Sequence, residues 1–356
     1  MKRRGAKAQR HKLAAVFPGI VLSVALSPYN WGEQPPSVKP APSAAVRDSL
    51  ERFHSIIPEG GKPRLLIDGA VEKPGLTMTE GPAWIHGKLF FSNYYMFWKK
   101  FGTSEEGGLC VWEPDGAWRV LNRDVQTCGT DPMQNGNLAA CDLIHRSIIE
   151  MNPEGKVVGI LADSFNGIPF GMPNDVIVDA RGGIYFTDPV IAREGAAQPT
   201  KGIYCRDPRG KVSRVADCDE NSFPNGLALS PDRNTLYLND SWSTALWKFD
   251  VKSDGSLTNR RRFADLALSE SRSSAEKKTT NADGMAVDSS GHLYVATDLG
   301  IQIFSPAGER LGVISFPTVP SNCKFGGGDL RTLYVTGGKR VYSIQTKQRG
   351  IGYPLR

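Results

Sequence analysis

Four oxygen-bearing side chains stand at the same place in a pattern that repeats along this 356-residue chain. An apolar, alternating run of residues follows each of them. They are Glu80, Asn174, Asn225 and Asp283. Together they offer two carboxylates and two amide oxygens, a set without sulfur or imidazole. Such a set suits a hard divalent cation; Ca²⁺ is the first expectation, and Mg²⁺, Mn²⁺ and Zn²⁺ are alternatives. Two neighbouring carboxylates repel each other, and a bound cation removes that repulsion.

A simpler interpretation of these residues is that Asn or Asp before a strand only forms a turn. For a single Asn-Gly or Asp-Gly pair that interpretation is adequate. Glu80 argues against it, because glutamate is a poor turn former and yet occupies the same repeat position. The four positions together therefore predict one metal site, provided that the fold brings them together.

The repeat itself has the form of a β-hairpin. Each of the four clearer copies opens with Asn or Asp and continues with an alternating apolar run, a turn and a second run around a tyrosine. Copies cover residues 173–188, 224–240, 282–298 and, more loosely, 321–336; two weaker ones cover 79–92 and 127–140. Pro/Gly turns at 152–157, 207–212 and 305–310 separate further strands, so each unit holds about four strands. Six such units predict an all-β, six-bladed β-propeller, with a β-sandwich or an open strand array as the alternative.

A propeller places equivalent residues of its blades around one axis. The innermost strand of each blade lines the central channel, so residues that start these strands converge on one spot. We therefore expect Glu80, Asn174 and Asn225 to meet Asp283 in the channel. The fold class and the metal site are thus a single prediction, a six-bladed β-propeller with its metal site in the central channel.

The N-terminus carries the marks of an export signal. Six basic residues precede an apolar stretch at 13–25, and small residues at 23–25 fit a signal peptidase site. We assign residues 1–25 to a signal peptide, 26–60 to a leader or linker and 61–356 to the propeller, and we expect a periplasmic or secreted protein. An uncleaved N-terminal membrane anchor is the alternative, and no other membrane association is expected.

The net charge of +6 gives no support for a nucleic-acid partner. The six basic residues of the N-terminal segment account for all of it. The folded body is therefore neutral and has no basic field for a phosphate backbone. The expected partner is a small molecule.

The cysteines and short motifs narrow the chemistry further. The six cysteines are even in number and export permits disulfides, but several fall in apolar strand patterns, so disulfides and buried thiols are both open. No CxxC or Cys/His cluster occurs, and a zinc-thiolate site is therefore not expected. The sequence also lacks Gly-x-Ser-x-Gly, His-Glu-x-x-His and phosphate-loop motifs, which leaves serine hydrolase, zinc protease and nucleotide-binding functions without support.

These motifs resemble the senescence-marker-protein/gluconolactonase family, the regucalcin-like lactonases. The resemblance covers about residues 70–350 and depends on five motifs in order. They are Glu-Gly-Pro-Ala-Trp at 80–84, Pro-Asn-Asp at 173–175, Pro-Asn-Gly at 224–226, Ala-Asp-Gly-Met at 282–285, and Phe-Gly-Gly at 325–327 with Thr-Leu-Tyr at 332–334. The resemblance implies a six-bladed propeller that binds Ca²⁺ or another divalent ion through the four residues named above and hydrolyses lactones.

Two positions depart from the pattern of this family. Cys128 stands in the second repeat, where relatives often carry Asn before the Gly. Met172 stands two residues before Asn174, where members that prefer sugar lactones can carry Arg. Both side chains are expected to contact substrate or to lie directly behind the metal ligands. The departures indicate a substrate less polar than gluconolactone.

The chemistry expected at such a site is the hydrolysis of a lactone or related ester. The cation would polarise the carbonyl and stabilise the oxyanion that forms. Asp283 is the candidate base as well as a ligand, because a carboxylate has a second oxygen that can accept a proton. Activation of water by the ion, or nucleophilic attack by the carboxylate, are alternatives. Two further functions stay open: hydrolysis of phosphotriesters or organophosphates at the same site, and a non-catalytic scaffold with a structural ion.

Other side chains are assigned from their place beside these motifs. Asp175 either supports the ion from behind Asn174 or contacts substrate, and a simple turn residue is the alternative. Trp84, Phe170 and Trp242 are expected either to line an apolar pocket at the channel mouth or to pack between blades.

Overall fold

The structure, a computed structural model, describes residues 44–73, 75–94, 107–189, 198–273 and 278–352 of the chain. Within this part the chain forms six four-stranded antiparallel sheets, each of which is one blade of a propeller. The predicted six-bladed, all-β architecture is confirmed. The predicted signal peptide at 1–25 lies outside the described residues, as does the predicted leader before residue 44.

The first three blades follow one another along the chain, each with its first strand innermost. Strand β1 (Arg64–Asp68) precedes them and belongs to the last blade. Blade 1 contains β2 (Thr79–Ile85), β3 (Lys88–Asn93), β4 (Gly108–Trp112) and β5 (Trp118–Asn122). Blade 2 contains β6 (Thr127–Pro132), β7 (Leu138–Asp142), β8 (Ser147–Met151) and β9 (Val157–Ala162). A small hairpin of β10 (Ser164–Phe165) and β11 (Ile168–Pro169) leads to blade 3, which contains β12 (Val176–Val178), β13 (Ile184–Asp188), β14 (Gly202–Arg206) and β15 (Val212–Asp217).

The last three blades complete the ring. Blade 4 contains β16 (Pro224–Leu229), β17 (Thr235–Asp240), β18 (Ala245–Val251) and β19 (Leu257–Asp265). A short helix, α2 (Glu270–Ser273), precedes blade 5, which contains β20 (Met285–Val287), β21 (Leu293–Thr297), β22 (Gly300–Phe304) and β23 (Arg310–Ile314). Blade 6 contains β24 (Asn322–Gly326), β25 (Thr332–Gly337) and β26 (Arg340–Gln345), and β1 pairs antiparallel with β26 as its outermost strand. The N-terminal strand therefore closes the ring on the C-terminal blade.

The hydrophobic core is divided into six clusters, one between each pair of neighbouring blades. Middle strands such as β13 and β21 are buried at every residue, because both of their faces pack against another blade. The outermost strand β9 shows alternating exposure instead, with one face in contact with water. This arrangement explains why the apolar runs look continuous in some strands and alternating in others.

A ring of glycines fixes how closely the inner strands approach. A Cβ on Gly81 would lie 2.0 Å from the carbonyl oxygen of Cys128, and one on Gly226 would lie 2.2 Å from that of Asp283. A Cβ on Gly284 would lie 1.8 Å from the side chain of Asn322. The Glu-Gly, Asn-Gly and Asp-Gly pairs are therefore explained by close contact between neighbouring blades, and not by turns between strands.

One helix precedes the propeller. Helix α1 (Ala44–His54) falls within the range that the sequence assigned to a leader, 26–60. Ile56 and Ile57, which follow it, are buried in the cluster between blades 5 and 6, and Phe53 packs against the same cluster. In the part of the chain that the structure describes, no helix is long and apolar enough to span a membrane.

Candidate metal centre

Each blade contributes one residue to a ring at the start of the inner strands. The six are Glu80, Cys128, Asn174, Asn225, Asp283 and Asn322. Backbone and side-chain hydrogen bonds connect neighbouring members: the Gly129 N–H donates to the Asn174 carbonyl at 2.9 Å, and the Gly284 N–H donates to the Ser321 carbonyl at 2.8 Å. Hydrogen bonds thus connect the ring positions of blades 2 and 3 and those of blades 5 and 6.

Glu80 is held by one of its carboxylate oxygens. Its side chain is buried, and Oε2 accepts hydrogen bonds from the Gly81 N–H at 2.7 Å and from Asn322 Nδ2 at 3.0 Å. The other oxygen, Oε1, is buried and has no hydrogen-bond partner among the described residues. A buried, ionisable oxygen without a partner is unfavourable unless something positive binds it. Glu80 therefore presents one free oxygen in a fixed orientation.

Asn225 is oriented in the same way by a neighbouring hydroxyl. Its Nδ2 donates to Oγ of Ser241 at 3.0 Å, and that hydroxyl donates in turn to the Ala282 carbonyl at 2.5 Å. Oδ1 of Asn225 is buried, and no described residue donates a hydrogen bond to it. Because Ser241 binds the amino end, the amide oxygen is the end that stays available.

Two carboxyl groups of the ring, those of Glu80 and Asp283, and the adjacent carboxyl group of Asp175 all have a pKa raised by burial. Burial raises the pKa of Asp283 well above its ordinary value, and the charges of Glu80 and Asp175 raise it further, while hydrogen bonds from Asn225 and the Gly284 N–H lower it. Burial also raises the pKa of Glu80. The ring cannot hold all of these groups ionised without a compensating positive charge.

The donor chemistry therefore fits a divalent cation. Two carboxylates and two amides, with two of the oxygens unpartnered, are the hard oxygen donors that Ca²⁺ and similar ions take. Among the described residues, no group of three or more His, Cys, Asp and Glu side chains could hold a metal. The amides of Asn174 and Asn225 are consequently required to complete such a site.

Asn174 and Asp175 stand together in blade 3 but differ in environment. Asn174 is half-buried, with its backbone N–H donating to the Thr187 carbonyl at 3.0 Å. Asp175 is buried, and its Oδ2 accepts the Leu227 N–H of blade 4 at 2.8 Å. Burial and the charge of Glu80 raise the pKa of Asp175 to about 7, although the Leu227 N–H lowers it. Asp175 thus braces two blades next to the ligand ring.

The two departures from the family pattern lie on one wall of the site. Cys128 and Met172 are both buried, in the same cluster between blades 2 and 3. Burial and the charges of Glu80 and Asp283 raise the pKa of the thiol of Cys128, which is a member of the ring. This wall is apolar.

Tyr94 completes that wall and was not found from the sequence. It follows β3, is 8% exposed and packs in the cluster of Cys128 and Met172. Burial and the charges of Cys128, Glu80 and Asp283 raise its pKa well above the ordinary value. No hydrogen bond to its hydroxyl is present in the described part of the chain. It lies outside the repeat motif, and so no repeat position pointed to it.

The three aromatic residues that were predicted for the channel mouth lie in different places. Trp84 comes four residues after Glu80 and stacks on Tyr334 with ring centroids 5.2 Å apart, so it packs between blades 1 and 6. Phe170 is fully buried in the cluster between blades 2 and 3. Trp242 alone of the three is exposed, at 39%, with the ammonium of Lys201 4.4 Å from its ring centroid. The structure therefore brings neither Trp84 nor Phe170 to the mouth.

Carboxylates at the ends of the second strands hold the backbone segments that lead to the ligand positions. Asp188 accepts the N–H groups of Gly171 and Met172, at 2.8 and 2.9 Å, in the loop that leads to Asn174. Asp240 accepts the Phe223 and Trp242 N–H groups, at 2.7 and 3.0 Å. Both carboxylates hold the backbone ahead of a ligand position.

Comparisons with known proteins agree with this architecture. A family model described as the SMP-30/Gluconolactonase/LRE-like region matches residues 78–339. The chain is 29% identical over 291 residues to a gluconolactonase of Zymomonas mobilis, covering 76% of this chain and 79% of that protein. It is 32% identical over 268 residues to the regucalcin of Oryctolagus cuniculus, covering 72% and 82%. The solved structure of a Xanthomonas campestris gluconolactonase superposes with a TM-score of 0.70 at 27% identity, covering 86% of this chain and 93% of that one.

Proposed function

Because the chain belongs to the SMP-30/Gluconolactonase/LRE-like family, we propose that it is a lactonase, a hydrolase that opens a lactone or related ester with the help of one divalent cation in its channel. The observation that carries the proposal is the pair of buried, unpartnered oxygens, Oε1 of Glu80 and Oδ1 of Asn225. The similarity to a gluconolactonase over most of both chains supports the reaction class.

The residues of the site have two proposed roles, binding the cation and orienting the ligands. Glu80, Asn174 and Asn225, with Asp283, would hold the cation, and Ca²⁺ is the ion that this oxygen set suits best. When bound, the cation supplies Lewis acidity toward the carbonyl of the substrate. Ser241 and Asn322 keep Asn225 and Glu80 in the orientation that leaves one oxygen of each free.

Asp283 is the proposed base. It is half-buried, and its carboxylate lies beside Asn225, which hydrogen-bonds it. A carboxylate whose pKa is raised is a better proton acceptor than an exposed one, provided that it is ionised when the substrate arrives. Asp283 would then take a proton from the water that attacks the carbonyl carbon and would return it to the alkoxide released from the opened ring.

The substrate is proposed to present an apolar side to the wall formed by Tyr94, Cys128 and Met172. These three side chains are buried in one cluster and offer no positive charge to a sugar hydroxyl. A lactone with an alkyl or aryl substituent would bury that substituent against them. This is the basis for expecting a substrate less polar than gluconolactone.

A chelation and readdition assay tests the proposal. Purified enzyme is treated with EDTA, dialysed, and assayed with Ca²⁺, Mg²⁺, Mn²⁺ or Zn²⁺ against lactones of graded polarity, aryl esters and phosphotriesters. We expect lactone turnover to disappear without metal and to return with Ca²⁺. Full activity in metal-free enzyme would exclude the cation from the reaction, and faster turnover of phosphotriesters than of any lactone would change the reaction class.

We also propose that the protein is exported. The support is the basic segment and apolar stretch at 1–25, which lie outside the described residues. N-terminal sequencing of the protein recovered from a producing bacterium's periplasm and medium tests this. We expect a chain that begins after Ala25; an intact N-terminus in the membrane fraction would favour an anchor instead.

A further inference from the structure

A buried ion pair lies in the channel beside the ligand ring. Nζ of Lys324, on β24 of blade 6, donates to Oδ1 of Asp131, on β6 of blade 2. Their side chains are 16% and 1% exposed. Both blades are neighbours of blade 1, so the pair spans the inner strand that carries Glu80. Neither residue of this ion pair belongs to the proposed set of metal ligands, so the pair needs a separate explanation.

Asp131 is fixed on both sides. Its second oxygen, Oδ2, accepts the N–H of Val178 in blade 3 at 2.8 Å. The carboxylate thus ties three blades together and holds the ammonium of Lys324 in one position. The positive charge of Lys324 therefore stays in one place relative to the neighbouring side chains.

The ammonium of Lys324 acts on the ring. Lys324 lies two residues after Asn322 on the inner strand β24, so the two side chains project from the same face of that strand, with their Cα atoms roughly 7 Å apart. Asn322 in turn binds Glu80. The Lys324 side chain is only 16% exposed, so water screens its charge incompletely. It is therefore a poorly screened positive charge beside the ligand ring.

We propose that Lys324 is a fixed internal counter-charge that weakens the affinity of the channel for its divalent cation, and that Asp131 is the positioning residue that holds and partly neutralises it. The proposal rests on the proposed metal-dependent function. The physical reason is Coulombic: a cation that enters the ring is attracted by Glu80, Asp175 and Asp283 and repelled by the ammonium. Asp131 reduces that repulsion, because it shares the charge of Lys324.

Two variants isolate the ammonium without leaving a buried carboxylate unpaired. Asp131→Asn keeps an oxygen that can accept the Val178 N–H but removes the negative charge; adding Lys324→Met removes the positive charge as well. Titration calorimetry with Ca²⁺ on EDTA-stripped protein gives the Kd. We expect D131N to raise Kd by at least ~10-fold, and K324M in that background to lower it again to within ~3-fold of wild type. Lys211→Met, which removes an exposed lysine, is the control and should leave Kd unchanged.

Equal Kd values for the single and double variants would overturn the proposal, because the ammonium would then have no effect on the cation. If D131N does not fold, Lys324→Gln alone gives the measurement, since glutamine can still donate to Asp131. K324Q should then lower Kd by ~10-fold, and an unchanged value overturns the inference. A wild-type protein that binds no divalent cation overturns this inference and the metal-dependent function together, whereas equal values in the variants leave that function standing.

Discussion

Nδ2 of Asn322 donates a hydrogen bond to Oε2 of Glu80 at 3.0 Å and leaves Oε1 of that carboxylate without a partner. Asn322 occupies in blade 6 the position that Glu80 occupies in blade 1. One ring member therefore orients another, while its own Oδ1 accepts the Cys323 N–H at 2.8 Å. Ser241 does the same for Asn225 in blade 4. The residues behind the ligands decide which oxygen each ligand presents.

Removing Ser241's hydroxyl is expected to weaken cation binding. In Ser241→Ala the amide of Asn225 loses the partner that fixes its orientation, so its oxygen no longer points permanently into the ring. Loss of a group that orients a ligand typically costs about 10-fold to 100-fold in metal affinity. We expect Kd for Ca²⁺, measured by titration calorimetry, to rise by ~10-fold.

Ser230→Ala is the matched control for this substitution. Ser230 is as buried as Ser241, each 8% exposed, and lies in the hairpin turn at the other end of the same strand, where its hydroxyl donates to Asp232 at 2.6 Å. This variant should lose a similar amount of stability with no change in Kd. Equal effects of both variants on Kd would show that Ser241 acts through general stability and not through Asn225.

Asp283→Asn is expected to stabilise the metal-free protein while it abolishes catalysis. Burial and the neighbouring carboxylates raise the pKa of Asp283, so the ionised group destabilises the metal-free fold at neutral pH. A neutral amide removes that repulsion, and the melting temperature in EDTA should therefore rise. Loss of the base should lower kcat/KM for a lactone by at least ~100-fold.

Melting curves with and without Ca²⁺ separate the two effects of Asp283→Asn. Wild type should gain stability from Ca²⁺, and the variant should gain less, because one ligand charge is missing. Unchanged hydrolysis by a folded variant that still binds Ca²⁺ would remove Asp283 from the catalytic role.

The placement of the four candidate ligands at the inner strands could be predicted from the sequence, because propeller symmetry gives equivalent repeat positions equivalent places in the blades. Glu80, Asn174, Asn225 and Asp283 are at least 51 residues apart in sequence, yet each lies in the inner strand of its blade or two residues before it. Trp84 shows the limit of this reasoning. It belongs to the same motif as Glu80, but about four residues of strand carry it roughly 13 Å along the channel direction, into contact with Tyr334.

Contacts between blades could not be predicted in this way. The pairing of Lys324 with Asp131 joins residues 193 positions apart in the chain through side-chain length and direction, which no local pattern encodes. Tyr94 lies beyond a strand end, outside any repeat. The close approach of the next blade also explains the glycines beside the ligand positions, as for Gly226 and the Asp283 carbonyl.

The cysteines are expected to react slowly in the native protein. All six are free thiols in the structure and five are buried. Burial raises the pKa of Cys110 and of Cys218 to about 12, so at pH 8 only about one thiol in ten thousand is the reactive thiolate. Because the pKa is raised, reactivity should increase with pH through the alkaline range. Native protein with DTNB at pH 8 should therefore give little colour.

The same reaction in guanidinium chloride counts the thiols and checks the absence of bridges. Six equivalents should react without any reductant, as many as with it. A count of four or two that rises to six after reduction would show that disulfides form in the protein.

Tyr94→Phe is expected to reduce catalysis and leave the cation in place. The ring of Tyr94 is buried against Cys128 and Met172, while its hydroxyl, which has no partner within the described residues, lies close enough to Glu80 and Asp283 for their charges to raise its pKa. A phenol O–H in this position can donate to an ester oxygen of a bound lactone. We expect kcat/KM to fall by ~10-fold to 100-fold with Kd for Ca²⁺ within ~2-fold of wild type.

Tyr237→Phe is the control for this substitution. Tyr237 is similarly buried, between blades 4 and 5, and its variant should change neither value. Full activity in Y94F would place the hydroxyl outside the reaction and leave Tyr94 as an apolar wall residue.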